Sequence, residues 1–146
     1  MSHVTVRRLL VTLVVALGSL SIAGCGGSNQ LVPSTSAPRS ETTQLGHFVV
    51  SYAPKTKIAL NQPQTWVVHV ETPNGTSVND ATLKVAGGMP DMGHALPTDP
   101  LISKKLGSGD YRVEGLLFNM PGAWVVTVDV RAGGMTDQAS FKLFLQ

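Results

Sequence analysis

The sequence predicts an all-β fold, an antiparallel sandwich of about seven strands, and three observations carry that expectation. Short segments alternate apolar and polar residues with a period of two, which sets one side of each extended segment on a core and the other in water. Turn-forming residues punctuate these segments at close intervals, as at Pro73-Asn74-Gly75 and Gly133-Gly134. Outside the N-terminal apolar run, no stretch repeats its apolar positions at helical spacing.

The segments follow in chain order. Phe48, Val50 and Tyr52 share one face of the first, and Ile58 and Leu60 one face of a short second. Trp66, Val68 and Val70 alternate with Val67, His69 and Glu71, and after the Pro73–Gly75 turn Ala81, Leu83 and Val85 resume the pattern. Leu101–Leu106 and Tyr111–Phe118 flank Gly107-Ser108-Gly109-Asp110, which predicts a hairpin. Trp124, Val126, Val128 and Val130 alternate with Val125, Thr127, Asp129 and Arg131, and Phe141, Leu143 and Leu145 mark the last strand. Trp66 and Trp124 are assigned to the core. His69 lies on the face opposite Trp66 and is assigned to solvent, without a role.

The first 24 residues read as a secretory signal. Arg7 and Arg8 precede an apolar run from Leu9 to Leu20 that is too short to span a bilayer and ends in small residues. Leu20-Ser21-Ile22-Ala23-Gly24-Cys25 resembles the bacterial lipobox, which implies cleavage before Cys25 and acylation of its thiol and new amine. The competing reading is an ordinary signal with an unpaired Cys beside the cut. Cys25 is the chain's only cysteine, so the mature protein has no disulfide and keeps no thiol for metal or catalysis. Two or three acyl chains hold a protein firmly on a membrane where one binds marginally. Gly26 follows the cysteine where an inner-membrane retention signal would place Asp, by resemblance to Gram-negative sorting. The expected location is the cell envelope, facing the periplasm or the cell exterior.

From the acylated Cys25 to residue 44 the chain is mostly Gly, Ser, Thr, Pro, Gln and Asn, a composition expected to form a flexible tether. Residues 45–146 then remain for one small domain, about 100 residues long. The formal charge of +2 includes Arg7 and Arg8; without them nine Lys and Arg face nine Asp and Glu. No basic run interleaved with aromatics points to nucleic acid.

Within the domain, chemistry concentrates in Met89-Pro90-Asp91-Met92-Gly93-His94. Pro removes a backbone donor and Gly weakens pairing, so the stretch is expected to be an ordered loop. Thioether and imidazole are ligands that Cu(I) favours, and thioethers carry no proton to lose. The alternative is that Met89, Met92 and Met120 fill gaps in the core while His94 is satisfied by a backbone group. If each segment is one strand and successive strands run antiparallel, Met89, Met92, His94 and Met120 gather at one end of the sandwich. The same counting brings His47 to that end, unless the first strand is continuous.

Several short motifs extend this pattern: Thr72-Pro73-Asn74-Gly75, Asn79-Asp80-Ala81, the Met/His stretch, Gly109-Asp110-Tyr111, and Asn119-Met120-Pro121-Gly122-Ala123-Trp124. Together, from Val70 to Val130, they resemble the FixH/YtkA-like group of bacterial extracytoplasmic domains. That resemblance implies a small immunoglobulin-like sandwich, often membrane-attached, and a connection with copper handling or cytochrome oxidase assembly. Many relatives carry His immediately before the Met of the last motif, whereas this chain has Asn119, so no ligand role passes to that position.

Enzyme chemistry is not expected. The chain has no Gly-x-Ser-x-Gly elbow and no His-Glu-x-x-His, and Asp91 reads as an exposed loop carboxylate. Two functions from different classes are expected instead. One is a lipid-anchored copper-binding protein using Met89, Met92, His94 and Met120, in contact with a copper-handling or oxidase-assembly membrane protein. The other is a metal-free module that docks a membrane-protein partner through the same end.

Overall fold

Inward-facing apolar residues at every second position pair the chain into two antiparallel sheets, described by a computed structural model over residues 39–146. In chain order the strands are β1 (Arg39–Thr42), β2 (Val49–Pro54), β3 (Gln64–Glu71), β4 (Thr82–Met89), β5 (His94–Ala95), β6 (Leu101–Gly107), β7 (Asp110–Leu116), β8 (Gly122–Ala132) and β9 (Met135–Leu145). One sheet has the order β1-β2-β3-β7-β6 and the other β5-β4-β8-β9. A single turn of 3-10 helix, Pro90–Met92, stands between β4 and β5.

The alternation read from the sequence is the alternation of burial. Trp66, Val68 and Val70 of β3 face Trp124, Val126, Val128 and Val130 of β8 across an apolar interior. Aromatic rings cross that interior in a continuous series. Phe141 meets Tyr52 edge-on at 4.9 Å, Tyr52 stacks on Trp66 at 4.2 Å, Trp66 lies 6.0 Å from Phe118, and Phe118 meets Trp124 edge-on at 5.2 Å. Offset and edge-on pairs of this kind contribute beyond the area they bury. The hairpins β6–β7 and β8–β9 close through two-residue turns, Ser108-Gly109 and Gly133-Gly134, with positive φ at both positions. That geometry matches the right-handed twist of the strands it joins.

Three motifs that carry the family resemblance knit the end of the sandwich away from the Met/His stretch. The buried Tyr111 hydroxyl donates to the Val78 carbonyl at 2.6 Å and accepts from the Ala81 N–H at 2.9 Å. The Gly109 N–H donates to Asn79 Oδ1 at 2.7 Å. Thr72 closes the Pro73–Gly75 turn through the Gly75 N–H and the Thr76 carbonyl.

The structure departs from the sequence reading in four places. Ile58 and Leu60 form no strand: Ile58 is a buried loop residue, so β2 pairs directly with β3. That shifts the count by one, and His47 lies at the opposite end from the Met/His stretch, where β2 begins. Among the described residues, Arg39–Thr42 already pairs into the sheet, ahead of the boundary at residue 45 that composition indicated. The total is nine strands, because β1 and the two-residue β5 join the expected set. β1 escaped composition because its side chains are mostly exposed and backbone pairing holds it. Arg39 Nη1 also donates to the Lys142 carbonyl at 2.8 Å, and the Gln44 N–H to that of Gln138 at 2.9 Å. The expected signal, Cys25 and the part of the expected tether up to residue 38 lie outside the described residues. Among the described residues, no helix is long and apolar enough to cross a membrane.

Candidate metal site

Strand register decides what reaches the end of the sandwich where β4 stops. Gly88 of β4 pairs with Val125 of β8, so the close of β4 lies beside the start of β8 and the 117–121 connection that precedes it. Met89, Met92, His94 and Met120 therefore all belong to this end. Met89 is the last residue of β4 and points inward, only 3% exposed. After it, Pro90 starts the 3-10 turn, and Gly93 ends it in the left-handed region with φ of 65°, its N–H donating to the Pro90 carbonyl at 3.2 Å. Non-Gly residues rarely take that conformation, so the Gly is what turns the chain back.

The chain returns as β5, which pairs His94 with Met89 and Ala95 with Gly88. The stretch expected to be a loop is thus a tight hairpin with a 3-10 tip. Directly opposite residues in such a ladder have Cβ atoms about 4.5–5.5 Å apart, which makes His94 the cross-strand neighbour of Met89. His94 is exposed where Met89 is not, because β5 is the edge of its sheet. Met92 stands at the tip and is 56% exposed.

Met120 comes from the neighbouring connection. Its side chain is half-buried against the core, and its carbonyl accepts the Trp124 indole N–H at 3.0 Å. Gly122 follows two residues later with φ of 129°, and a Cβ there would lie 2.8 Å from Met89 Cε. The Met89 side chain therefore packs on the segment that carries Met120. The ladder pairs His94 with Met89, and Met89 packs on the segment that carries Met120, while Met92 stands exposed at the hairpin tip.

On the outer face beside the hairpin, Pro90 and Asp91 rim a groove of about 330 Å³ with Ala123, Trp124, Val125, Lys142 and Leu143. Phe144, opposite Ala123 in the β8–β9 ladder, is 53% exposed.

Two polar clusters fall elsewhere. At the far end, the buried Asp137 carboxylate accepts N–H bonds from Leu45, His47 and Gln138 at 2.8–3.1 Å. Burial would raise this carboxyl, but those bonds and the Thr43 hydroxyl outweigh it and hold it at about 2. The Thr43 hydroxyl also lies 3.0 Å from the Phe48 carbonyl, so its single proton serves either oxygen. His47 Nδ1 is 3.6 Å from Asp137 and belongs to this clasp, not to the hairpin. The second cluster surrounds His69, which the sequence reading set aside: its Nδ1 lies 2.7 Å from Asp110 Oδ1. The shared face of His69 and Glu71 was legible in the alternation, but the register that brings Asp110 beside them was not.

The fold and this end of it define a class: a small antiparallel β-sandwich carrying sulfur and imidazole donors on a terminal hairpin. A family model described as YtkA-like matches residues 46–129, more than half of the chain, and the chain belongs to that family. The matched span holds Met89, Met92, His94 and Met120. No curated protein matches the chain.

Proposed function

We propose that this protein is a lipid-anchored extracytoplasmic carrier that binds Cu(I) at the Met/His hairpin, for envelope copper handling or delivery to oxidase assembly. The observation that carries the reading is the pairing of Met89 with His94, with Met89 packed on the segment of Met120. Soft thioethers and one imidazole suit Cu(I), and they do little for Zn(II), which prefers thiolate, imidazole or carboxylate. Met92, 56% exposed, and the exposed His94 are the donors open to solvent and the points of entry in this reading. Cys25 is the proposed anchor and membrane contact, and membership of the YtkA-like family supports an extracytoplasmic setting.

The test is competition with a chromogenic Cu(I) chelator, run on the chain lacking residues 1–25. Wild type should retain one Cu(I), and Met92→Leu and His94→Ala should each lose affinity while melting unchanged, because both side chains are exposed. Equal occupancy in all three, or copper in none, refutes the reading. The anchor has its own test: Cys25→Ser should take up no clickable fatty acid, and label equal to wild type would refute acylation at that residue.

A second reading, a metal-free docking module, draws on the exposed Met92 and Phe144 flanking the groove. It takes over if copper fails while substitution of Phe144 abolishes membrane-protein capture.

A further inference from the structure

On the outer face of the five-stranded sheet, at the end away from the hairpin, the His69 ring is held between two carboxylates. Asp110 stands opposite it in the β3–β7 ladder, with Nδ1 and Oδ1 2.7 Å apart. Glu71 follows two residues along β3, its Oε2 3.6 Å from His69 Nε2. An ionised carboxylate only accepts hydrogen bonds, so the Asp110 contact requires the proton on Nδ1. In the neutral ring Nε2 then carries a lone pair, and it faces another acceptor, the Glu71 oxygen. Two acceptors therefore face each other across 3.6 Å. The trio holds two carboxylates, and Arg112, two residues from Asp110 along β7, lies 3.9 Å from Glu114. A water donating to both atoms, a proton or a metal ion satisfies the pair, and of these a metal ion would also use the orientation that Asp110 imposes on the ring.

We infer that His69 Nε2 and Glu71 form a two-ligand site for a borderline divalent cation, Zn(II) or Cu(II), with Asp110 as the positioning residue behind the ring. Imidazole with carboxylate suits such ions and not Cu(I). Ligands at about 2.0–2.2 Å from a tetrahedral ion lie about 3.4 Å from each other, close to the 3.6 Å between these two atoms. A ligating histidine ordinarily donates its other N–H to a carboxylate, which fixes the tautomer and raises the basicity of the bound nitrogen. Asp110 is placed to do so. All three side chains are about a third exposed, so an ion reaches them directly and water completes its shell. No three His, Cys, Asp or Glu side chains converge as ligands among the described residues, which limits the protein's contribution here to two. The site is separate in place and in donor chemistry from the hairpin.

The experiment titrates the full chain, purified in detergent, with Zn(II) alone at pH 7.5, read by calorimetry and by imidazole nitrogen NMR. Zinc should shift the Nε2 resonance of His69, with the proton on Nδ1 before and after. His69→Ala should abolish this binding, Glu71→Gln should weaken it, and Asp110→Asn should weaken it by about 10–100-fold. Met92→Leu and His94→Ala should leave it unchanged, so the outcome is independent of the copper reading. Thermal melts of each variant distinguish a lost ligand from a lost fold. Equal zinc binding by wild type and His69→Ala, zinc shifts confined to other histidines, or a protonated Nε2 with no zinc bound would overturn the inference.

Discussion

The indole N–H of Trp124 donates to the carbonyl of Met120 across 3.0 Å. One side chain thus serves two ends: its ring closes the aromatic series of the core against Phe118, and its nitrogen pins the connection that presents Met120. Trp124→Ala should lower stability by about 3–5 kcal/mol, the usual range for emptying a large buried aromatic site. Trp124→Phe keeps a ring and deletes the bond, and should cost less while loosening residues 119–122. Chemical denaturation and amide exchange of that connection would separate the two effects, and equal losses in both variants would contradict this division.

Truncation should show where the domain begins. Removing residues up to 38 should leave the melting temperature unchanged, since that composition buries little. Removing residues up to 44 deletes β1, the bond from Arg39 to Lys142 and the buried Thr43, and should lower it clearly. Thermal melts of the two truncations, side by side, make the comparison, and equal melts would place the boundary after Gln44.

How far these features were legible in the sequence follows from what each depends on. Trp66, Val68 and Val70 announce a buried strand face because apolar side chains alone determine it, and the same holds for Trp124 to Val130. Arg39-Ser40-Glu41-Thr42 carries no such pattern; its strand exists through backbone bonds to β2, which composition does not record. Ile58 and Leu60 are too few to tell a strand from a loop that tucks one side chain inward. That ambiguity alone moved His47 from one end of the sandwich to the other. The Met/His stretch and Met120 still share one end because β4, β6, β7 and β8 alternate in direction as the segments predict, although the two-residue β5 is too short to show in the pattern. His69 was set aside because its partners are cross-strand neighbours, and register is a property of the folded sheet.

Asp137 makes an acid-dependence prediction. Its folded pKa, about 2, lies below the unfolded 3.8, so its contribution is fully present above pH 3.8 and is lost as pH falls toward 2. At about 1.4 kcal/mol per pH unit, the stability at stake is roughly 1–3 kcal/mol. Asp137→Asn should be destabilised at neutral pH, because an amide offers N–H groups to a site built from donors. Its stability should also fall less steeply than wild type between pH 4 and 2. Urea midpoints across that range supply the measurement, and parallel curves would mean that another carboxylate carries the acid sensitivity.

Gly122 links fold to hairpin most directly. Its φ of 129° lies where side chains are strained, and a Cβ would stand 2.8 Å from Met89 Cε. Gly122→Ala therefore suffers twice, through its backbone and by displacing a thioether that is otherwise buried. A loss of about 1–3 kcal/mol is expected, the usual cost of overpacking a filled interior. Met89→Leu in the same background should recover part of it, since Leu ends short of the Met methyl and leaves room for the added carbon. A coupling of this kind is read from a double-mutant cycle, because residues in contact depart from additivity by about 0.5–3 kcal/mol. Strict additivity of Gly122→Ala and Met89→Leu would show that the strain is carried by the Gly122 backbone alone, with Met89 free to move aside.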